Sequence, residues 1–164
     1  MDKRPIGVFD SGLGGLTVVK ALKGLLPNES ILYFGDTARL PYGVKSKDLV
    51  EQYSTQITRF LIKKNAKMII VACNTATAMA LNKLKKDFKN IPIIGVIEPG
   101  SKQAISKTIS REIGVIGTIA TIKSNAYEES LKKKDKHINI ISKACPLFVP
   151  FVEEGLTEGN AINE

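Results

Sequence analysis

Short continuous hydrophobic runs alternate with stretches of helical spacing along this chain. Four apolar runs predict β-strands at residues 6–9, 31–34, 68–72 and 93–97. Strands separated by helices in this way are typical of a parallel sheet with helices on both faces. Between the runs, apolar residues recur every three or four positions, which predicts helices over residues 16–26, from a cap at Ser46 to Leu61, and through Leu81 and Leu84.

The pattern begins again after residues 98–100, a Glu-Pro-Gly segment that we interpret as a boundary between domains 1–98 and 99–164. Residues 6–12 and 113–118 share one strand-to-turn pattern, which suggests two related α/β halves. Residues 145–150 contain two prolines and predict a loop. The remaining predicted elements are a helix containing Ala104, Ile105 and Ile109, strands at 113–116 and 138–141, and a helix from Thr121 to about residue 134.

Composition describes an ordinary globular protein. The chain has 164 residues, of which 43% are hydrophobic and 24% charged. No apolar run reaches the length of about 18 residues that a membrane-spanning helix requires, so we expect no membrane association. Residues 1–5 lead into a strand without the apolar segment of a signal peptide. Two cysteines in such a chain favour reduced thiols and a cytoplasmic protein.

The net charge of +8 permits an anionic partner. The lysines cluster at residues 63–64, 83–89 and 132–136, near predicted helix ends, where they complement the helix dipole. No aromatic residues are interleaved in a nucleic-acid-binding pattern, and no zinc-finger spacing is present. We therefore interpret these lysines as solvated surface and expect no nucleic-acid partner.

Candidate chemistry is concentrated where two predicted strands end. Cys73 follows the strand at 68–72, and Asp10 follows the strand at 6–9. If these strands are parallel neighbours, both residues leave the sheet at one edge, where ligands of open α/β sheets bind. A thiol beside a carboxylate, with the hydroxyl and amide groups of Ser11, Asn74 and Thr75 nearby, predicts a proton-transfer site.

Structural roles are the alternatives for these residues. An isolated buried cysteine such as Cys73 is more often a small hydrophobic residue than a catalyst, and Asp10, Thr118 and Thr121 could be helix caps. Residues 12–15 also imitate the start of a dinucleotide-binding fold. The G-x-G-x-x-G pattern, however, requires glycine where Thr17 stands, and no P-loop is present.

Several segments taken together resemble the glutamate racemases, a family of the cofactor-independent aspartate/glutamate racemase superfamily. The segments occur in the family order across nearly the whole chain. They are residues 7–15, 33–43, 72–77, 95–100, 116–118 with Thr121, and 145–150.

The resemblance implies an enzyme that interconverts L- and D-glutamate without a cofactor and so supplies D-glutamate for peptidoglycan synthesis. It also implies two related flavodoxin-like α/β domains that enclose the substrate. It implies that Cys73 donates and accepts the α-proton, and that Asp10 tunes this thiol and meets the substrate ammonium. We expect the surroundings to lower the pKa of Cys73. The implied substrate-binding residues are Asp10, Ser11, Pro41, Tyr42, Gly43, Asn74, Thr75, Thr118, Thr121 and, less strongly, Glu153.

The family's second catalytic cysteine belongs to a Gly-Cys-Thr-His segment that the printed sequence does not contain. We therefore expect a C-terminally truncated racemase whose second domain is incomplete, with little activity by itself. A non-catalytic remnant or binding module is the alternative. Cys145 matches a different family segment, before Pro146, and is interpreted as structural. The resemblance also implies that the protein can form a homodimer.

Overall fold

The computed structural model of the chain describes residues 2–156 and 158–159. The first part contains a four-stranded sheet with the order β2-β1-β3-β4, in which every neighbouring pair is parallel. The parallel α/β architecture predicted from the sequence is therefore confirmed. The strands are β1 (Ile6–Asp10), β2 (Ile31–Gly35), β3 (Met68–Val71) and β4 (Ile93–Gly95).

Helices cover both faces of this sheet. They are α1 (Leu16–Leu25), α2 (Lys47–Lys63) and α3 (Asn74–Asp87), and a 3₁₀ turn (Tyr42–Val44) precedes α2. Ser46 caps α2 as expected, because its side chain accepts a hydrogen bond from the Leu49 amide.

Side chains of β1 and β3 alternate between the two faces, as strand geometry requires. Phe9, Ile69 and Val71 pack in one cluster with residues of α2 and α3. Val8 and Ile70 point to the opposite face, where residues of α1 cover them. Both faces are buried, which explains why these strands read as continuous apolar runs.

Helix α1 is less enclosed than its sequence suggests. Val18, Val19 and Leu22 pack against the sheet. Leu16 and Leu26 remain 46% and 43% exposed, and Leu25 is 78% exposed. Only part of the predicted apolar face of α1 is therefore used by the described residues.

The second part contains a two-stranded parallel sheet in continuous register, from the pair Glu112–Asn139 to the pair Gly117–Ala144. Its core is formed by Val115, Leu131 and Ile138. The elements are α4 (Ile97–Lys107), β5 (Glu112–Gly117), α5 (Ile119–Lys123), α6 (Ala126–Lys134), β6 (Asn139–Ala144) and α7 (Phe148–Glu153).

Three local predictions for this part were wrong. The helix predicted from Thr121 is divided into α5 and α6, because Asn125 adopts a left-handed conformation with φ of 56°. The predicted loop at 145–150 is partly helical, since Pro150 lies in the first turn of α7, where a missing N–H group costs no hydrogen bond. Ile109 lies beyond the end of α4 and is fully exposed.

The segment at 98–100, predicted as a domain boundary, lies in the first turn of α4. Glu98 there forms an ion pair with Lys134 and accepts a hydrogen bond from Ser130, which connects α4 with α6. The division into domains 1–98 and 99–164 stays a prediction. Its residues 1, 157 and 160–164 lie outside the described part of the chain.

Within the described residues, no helix combines the length and apolar character needed to cross a bilayer.

The core between α2 and the sheet should dominate the stability of the first part. Leu61 is fully buried, so Leu61→Ala should lower the free energy of unfolding by about 2–5 kcal/mol. Leu25→Ala is the matched control, since Leu25 is 78% exposed and its truncation should change stability by about 0.5 kcal/mol or less. Urea denaturation measures both. Equal losses in the two variants would contradict this description of the core.

Candidate active site

One cavity of about 480 Å³ opens at the carboxyl ends of β1 and β3, between the two parts of the chain. Such a position is the usual ligand site of open α/β sheets. All eleven candidate site residues predicted from the sequence line this cavity. They are Asp10, Ser11, Pro41, Tyr42, Gly43, Cys73, Asn74, Thr75, Thr118, Thr121 and Glu153.

Cys73 occupies the turn between β3 and α3. It is the N-cap residue of α3, and its Sγ accepts a hydrogen bond from the Ala76 amide at 3.4 Å. The Oγ of Ser11 lies 3.4 Å from the same sulfur atom. The side chain is 5% exposed, so the thiol borders the cavity while being almost fully removed from bulk solvent.

Burial raises the pKa of the Cys73 thiol to about 11, and the negative charge of Asp10 adds to this increase. Hydrogen bonds with Ser11 and Ala76 oppose the increase in this pKa but do not reverse it. The expectation that the surroundings lower this pKa was therefore wrong for the ligand-free site. The effect of desolvating the thiolate on this pKa is larger than the effect of the few hydrogen-bond donors around the sulfur atom.

Asp10 is buried and accepts hydrogen bonds through Oδ2 from the Gly15 amide at 2.9 Å and the Gly12 amide at 3.3 Å. It thereby holds the glycine-rich turn that precedes α1. Gly15 is required for this arrangement, because a Cβ there would lie 2.6 Å from the Cβ of Asp10. Tyr33 donates a hydrogen bond to the Gly12 carbonyl at 2.8 Å, and burial beside Asp10 raises the pKa of Tyr33 to about 12.

The segment 41–44 brings the side chain of Tyr42 into the core beside the cavity. The Tyr42 hydroxyl donates a 2.5 Å hydrogen bond to Asp36, which also accepts from Arg39. Burial and this bond raise the pKa of Tyr42. Gly43 contacts Thr118 of the second part so closely that any Cβ on Gly43 would overlap the Thr118 side chain.

Three threonine hydroxyls form a closed triangle in the cavity wall. Thr75 Oγ1 lies 3.0 Å from Thr118 Oγ1 and 3.1 Å from Thr121 Oγ1, and the last two atoms are 3.0 Å apart. Thr118 also caps α5 by accepting a hydrogen bond from the Thr121 amide. The triangle therefore links α3 of the first part to α5 of the second.

Glu153 reaches the cavity from α7. Its carboxylate lies against Gly12, where any Cβ would overlap Oε1. Burial and the neighbouring charges of Asp10 and Glu154 raise the pKa of Glu153. Two carboxylates, Asp10 and Glu153, thus lie at the glycine-rich turn.

Other residues of this site were not among the candidates predicted from the sequence. Tyr127 lines the cavity and donates a 2.6 Å hydrogen bond to Asn74 Oδ1. Cys145, interpreted as structural, also lines the cavity and is partly exposed. Asp36 supports Tyr42 from outside the cavity. A further apolar wall is formed by Ile116, Phe148, Val149 and Val152.

Thiol, carboxylate, hydroxyl and amide groups suit this cavity to a small zwitterionic ligand and to proton transfer. Among the described residues, no group of three or more histidine, cysteine or acidic side chains is arranged to hold a metal ion.

The raised pKa of Cys73 predicts slow alkylation at neutral pH, because only the thiolate reacts. In a Cys145→Ser variant, the iodoacetamide reaction of Cys73 should increase about tenfold per pH unit from 7 to 10 without levelling off. When the same protein is unfolded in urea, the rate of this reaction should level off above about pH 9, because an ordinary thiol has a pKa of about 8.5. Peptide mass spectrometry locates the label. A folded-state plateau below pH 9 would contradict the burial effect.

Comparison with known proteins identifies the family. A sequence model of the family described as Asp/Glu/Hydantoin racemase matches residues 16–148. The chain is 54% identical over 154 residues to the glutamate racemase of Aquifex aeolicus, covering 94% of this chain and 59% of that protein. It is 52% identical over 159 residues to the glutamate racemase of Oceanobacillus iheyensis, covering 97% and 57%. The chain thus spans less than two thirds of the length of these relatives.

Solved structures give the same result and confirm the predicted racemase-type fold. This chain is similar to the crystal structure of glutamate racemase from Francisella tularensis in complex with D-glutamate, with a TM-score of 0.91 and 47% sequence identity. The match covers 99% of this chain and 60% of that one. Escherichia coli glutamate racemase, in complex with L-glutamate and the activator UDP-MurNAc-ala, has a TM-score of 0.78 and 28% identity, over 96% and 59%. The match over residues 16–148 and these likenesses show that the chain belongs to the Asp/Glu/Hydantoin racemase family.

Proposed function

We propose that this chain carries one side of a glutamate racemase site, in which Cys73 removes the α-proton of glutamate and returns it. The observation that carries the proposal is the cavity itself. It collects a buried thiol, two carboxylates and several hydroxyl and amide donors at the carboxyl edge of the parallel sheet. Proteins that are 54% and 52% identical to this chain over 59% and 57% of their own length are glutamate racemases.

The polar groups of this cavity suit the ammonium and carboxylate groups of glutamate. Asp10 and Glu153 supply negative charge at the glycine-rich turn, which suits the substrate ammonium group. Ser11 and the Thr75–Thr118–Thr121 triangle supply hydroxyl groups, and Asn74 an amide, all suited to carboxylates. Pro41, Tyr42 and Gly43 form a wall of the cavity. We assign substrate binding to these groups.

A bound ammonium group would change the ionisation of Cys73. An opposite charge within about 4–6 Å favours the charged form of a group by about 1–3 pKa units. An ammonium group beside Cys73 would therefore lower the raised pKa of this thiol. The substrate ammonium group would therefore help to create the base that removes the α-proton.

Inversion also requires an acid on the opposite face of the α-carbon. The family resemblance assigns this role to a thiol of a Gly-Cys-Thr-His segment outside the printed sequence. We therefore expect the 164-residue chain to exchange the α-proton of one enantiomer and to invert it only slowly. Supply of D-glutamate for peptidoglycan is part of this proposal. A cytoplasmic location and a homodimer stay predictions.

Incubation of the 164-residue chain with L- or D-glutamate in D₂O tests the proposed role of Cys73. We expect deuterium at the α-carbon of one enantiomer, detected by ¹H NMR, with little change of configuration by chiral chromatography. Cys73→Ser should reduce the exchange rate by at least about 10²-fold, because a positioned acid or base typically contributes about 10²–10⁴ in rate.

The outcomes separate the alternatives. Full-rate inversion by this chain would contradict the need for a second thiol outside it. Exchange that is lost in Cys145→Ser but kept in Cys73→Ser would assign the base to the other thiol of the cavity. Glutamate binding without any exchange would support a binding module instead of half a catalytic site.

Gly43 provides a test of the contact between the two parts of the chain. Gly43→Ala should weaken glutamate binding by about tenfold or more, because the added methyl group would overlap Thr118 and displace the hydroxyl triangle. Gly24→Ala is the matched control, since a Cβ on Gly24 of α1 meets no atom within 4 Å. Isothermal titration calorimetry measures both variants. Equal affinities would show that the cavity does not depend on this contact.

A further inference from the structure

We propose that Tyr127 is a positioning residue that orients the side-chain amide of Asn74, so that Nδ2 faces the cavity as a hydrogen-bond donor for a substrate carboxylate. This inference rests on the proposed function of the cavity, because it assigns Asn74 a direction toward glutamate. In this role Tyr127 acts through Asn74.

The contact between the two side chains is short and directional. The Tyr127 hydroxyl lies 2.6 Å from Asn74 Oδ1. This length fits an O–H···O bond, whose usual value is about 2.7–2.8 Å, and is short for an N–H···O bond, whose usual value is about 2.9–3.0 Å. Tyr127 therefore donates and the amide oxygen accepts. The two N–H bonds of Asn74 are then left on the other branch of the planar amide.

The direction of this amide matters because Asn74 follows Cys73 directly, as the first residue of α3. An amide that turned its oxygen toward the cavity would repel a carboxylate, whereas the opposite orientation offers it two donors. Without a fixed partner, an exposed asparagine samples both orientations. A hydrogen bond to Oδ1 removes the unfavourable one before the ligand arrives.

Tyr127 is suited to this task because its ring is held in place. The ring packs against the core cluster of Val115, Leu131 and Ile138 in the second part. The Tyr127 hydroxyl also lies near Gly100 of α4, 3.7 Å from the position of a Cβ there. The second part of the chain thus fixes a hydroxyl that orients a side chain of the first part.

Nitrogen-15 NMR of the 164-residue chain without ligand tests the contact directly. Tyr127→Phe keeps the packed ring and removes the hydroxyl, so the side-chain amide resonances of Asn74 should shift. The chemical shifts of the two amide protons of Asn74 should also move closer together. Tyr53→Phe is the matched control, because Tyr53 packs on the other core cluster and does not line the cavity. An Asn74 amide unchanged by Tyr127→Phe would overturn the proposal.

A double-mutant cycle on glutamate affinity tests the consequence. Tyr127→Phe and Asn74→Ala should each raise the Kd for glutamate by about 3- to 10-fold, the usual range for one hydrogen bond. Their combination should cost no more than Asn74→Ala alone, because Tyr127 acts through Asn74. Additive losses, or an unchanged Kd in Tyr127→Phe, would overturn the proposal.

The isosteric variant Asn74→Asp separates the two atoms of the amide. It keeps an acceptor for Tyr127 but replaces Nδ2 with a carboxylate oxygen, so glutamate affinity should fall at least as far as in Asn74→Ala. Affinity equal to that of the wild type would refute the assigned donor role. If the wild-type chain binds no glutamate, the proposed function of the cavity fails, and the NMR measurement still decides whether Tyr127 orients Asn74.

Discussion

The parallel pairing of β1 with β3 is the constraint on which the candidate site depends. Phe9 pairs with Val71, so the residues that follow the two strands leave the sheet at one edge. This register is fixed by the core, because a slip of one residue would exchange the two buried faces of each strand. The proximity of Asp10 to Cys73 therefore follows from core packing, and the loops only add to it.

The same constraint creates an electrostatic conflict at Cys73. A thiol at the end of a buried strand is desolvated, and the neighbouring strand ends in a carboxylate, so both surroundings oppose thiolate formation. Because only the thiolate is nucleophilic, both effects lower the reactivity of this sulfur atom at neutral pH. The described residues that line the cavity include no lysine or arginine that would offset these effects.

Local patterns predicted the parallel sheet and placed Asp10 and Cys73 at its edge, whereas the candidates at residues 41–43, 118, 121 and 153 came only from the family resemblance. Buried strands read as apolar runs, and the polar residues after Phe9 and Ala72 mark the sheet edge. The ionisation of Cys73 could not be predicted, because the burial of its sulfur depends on residues distant in sequence. Tyr127 was missed for the same reason: it is 53 positions from Asn74, and only tertiary packing brings them together.

The ring of threonine hydroxyls has a property that its heavy atoms do not reveal. Three oxygens with three mutual contacts share three hydrogens, which can point around the ring in either sense. Rotation about three C–O bonds reverses this sense while every other atom stays in place. The direction in which each of these hydroxyl groups donates can therefore change without any movement of the backbone.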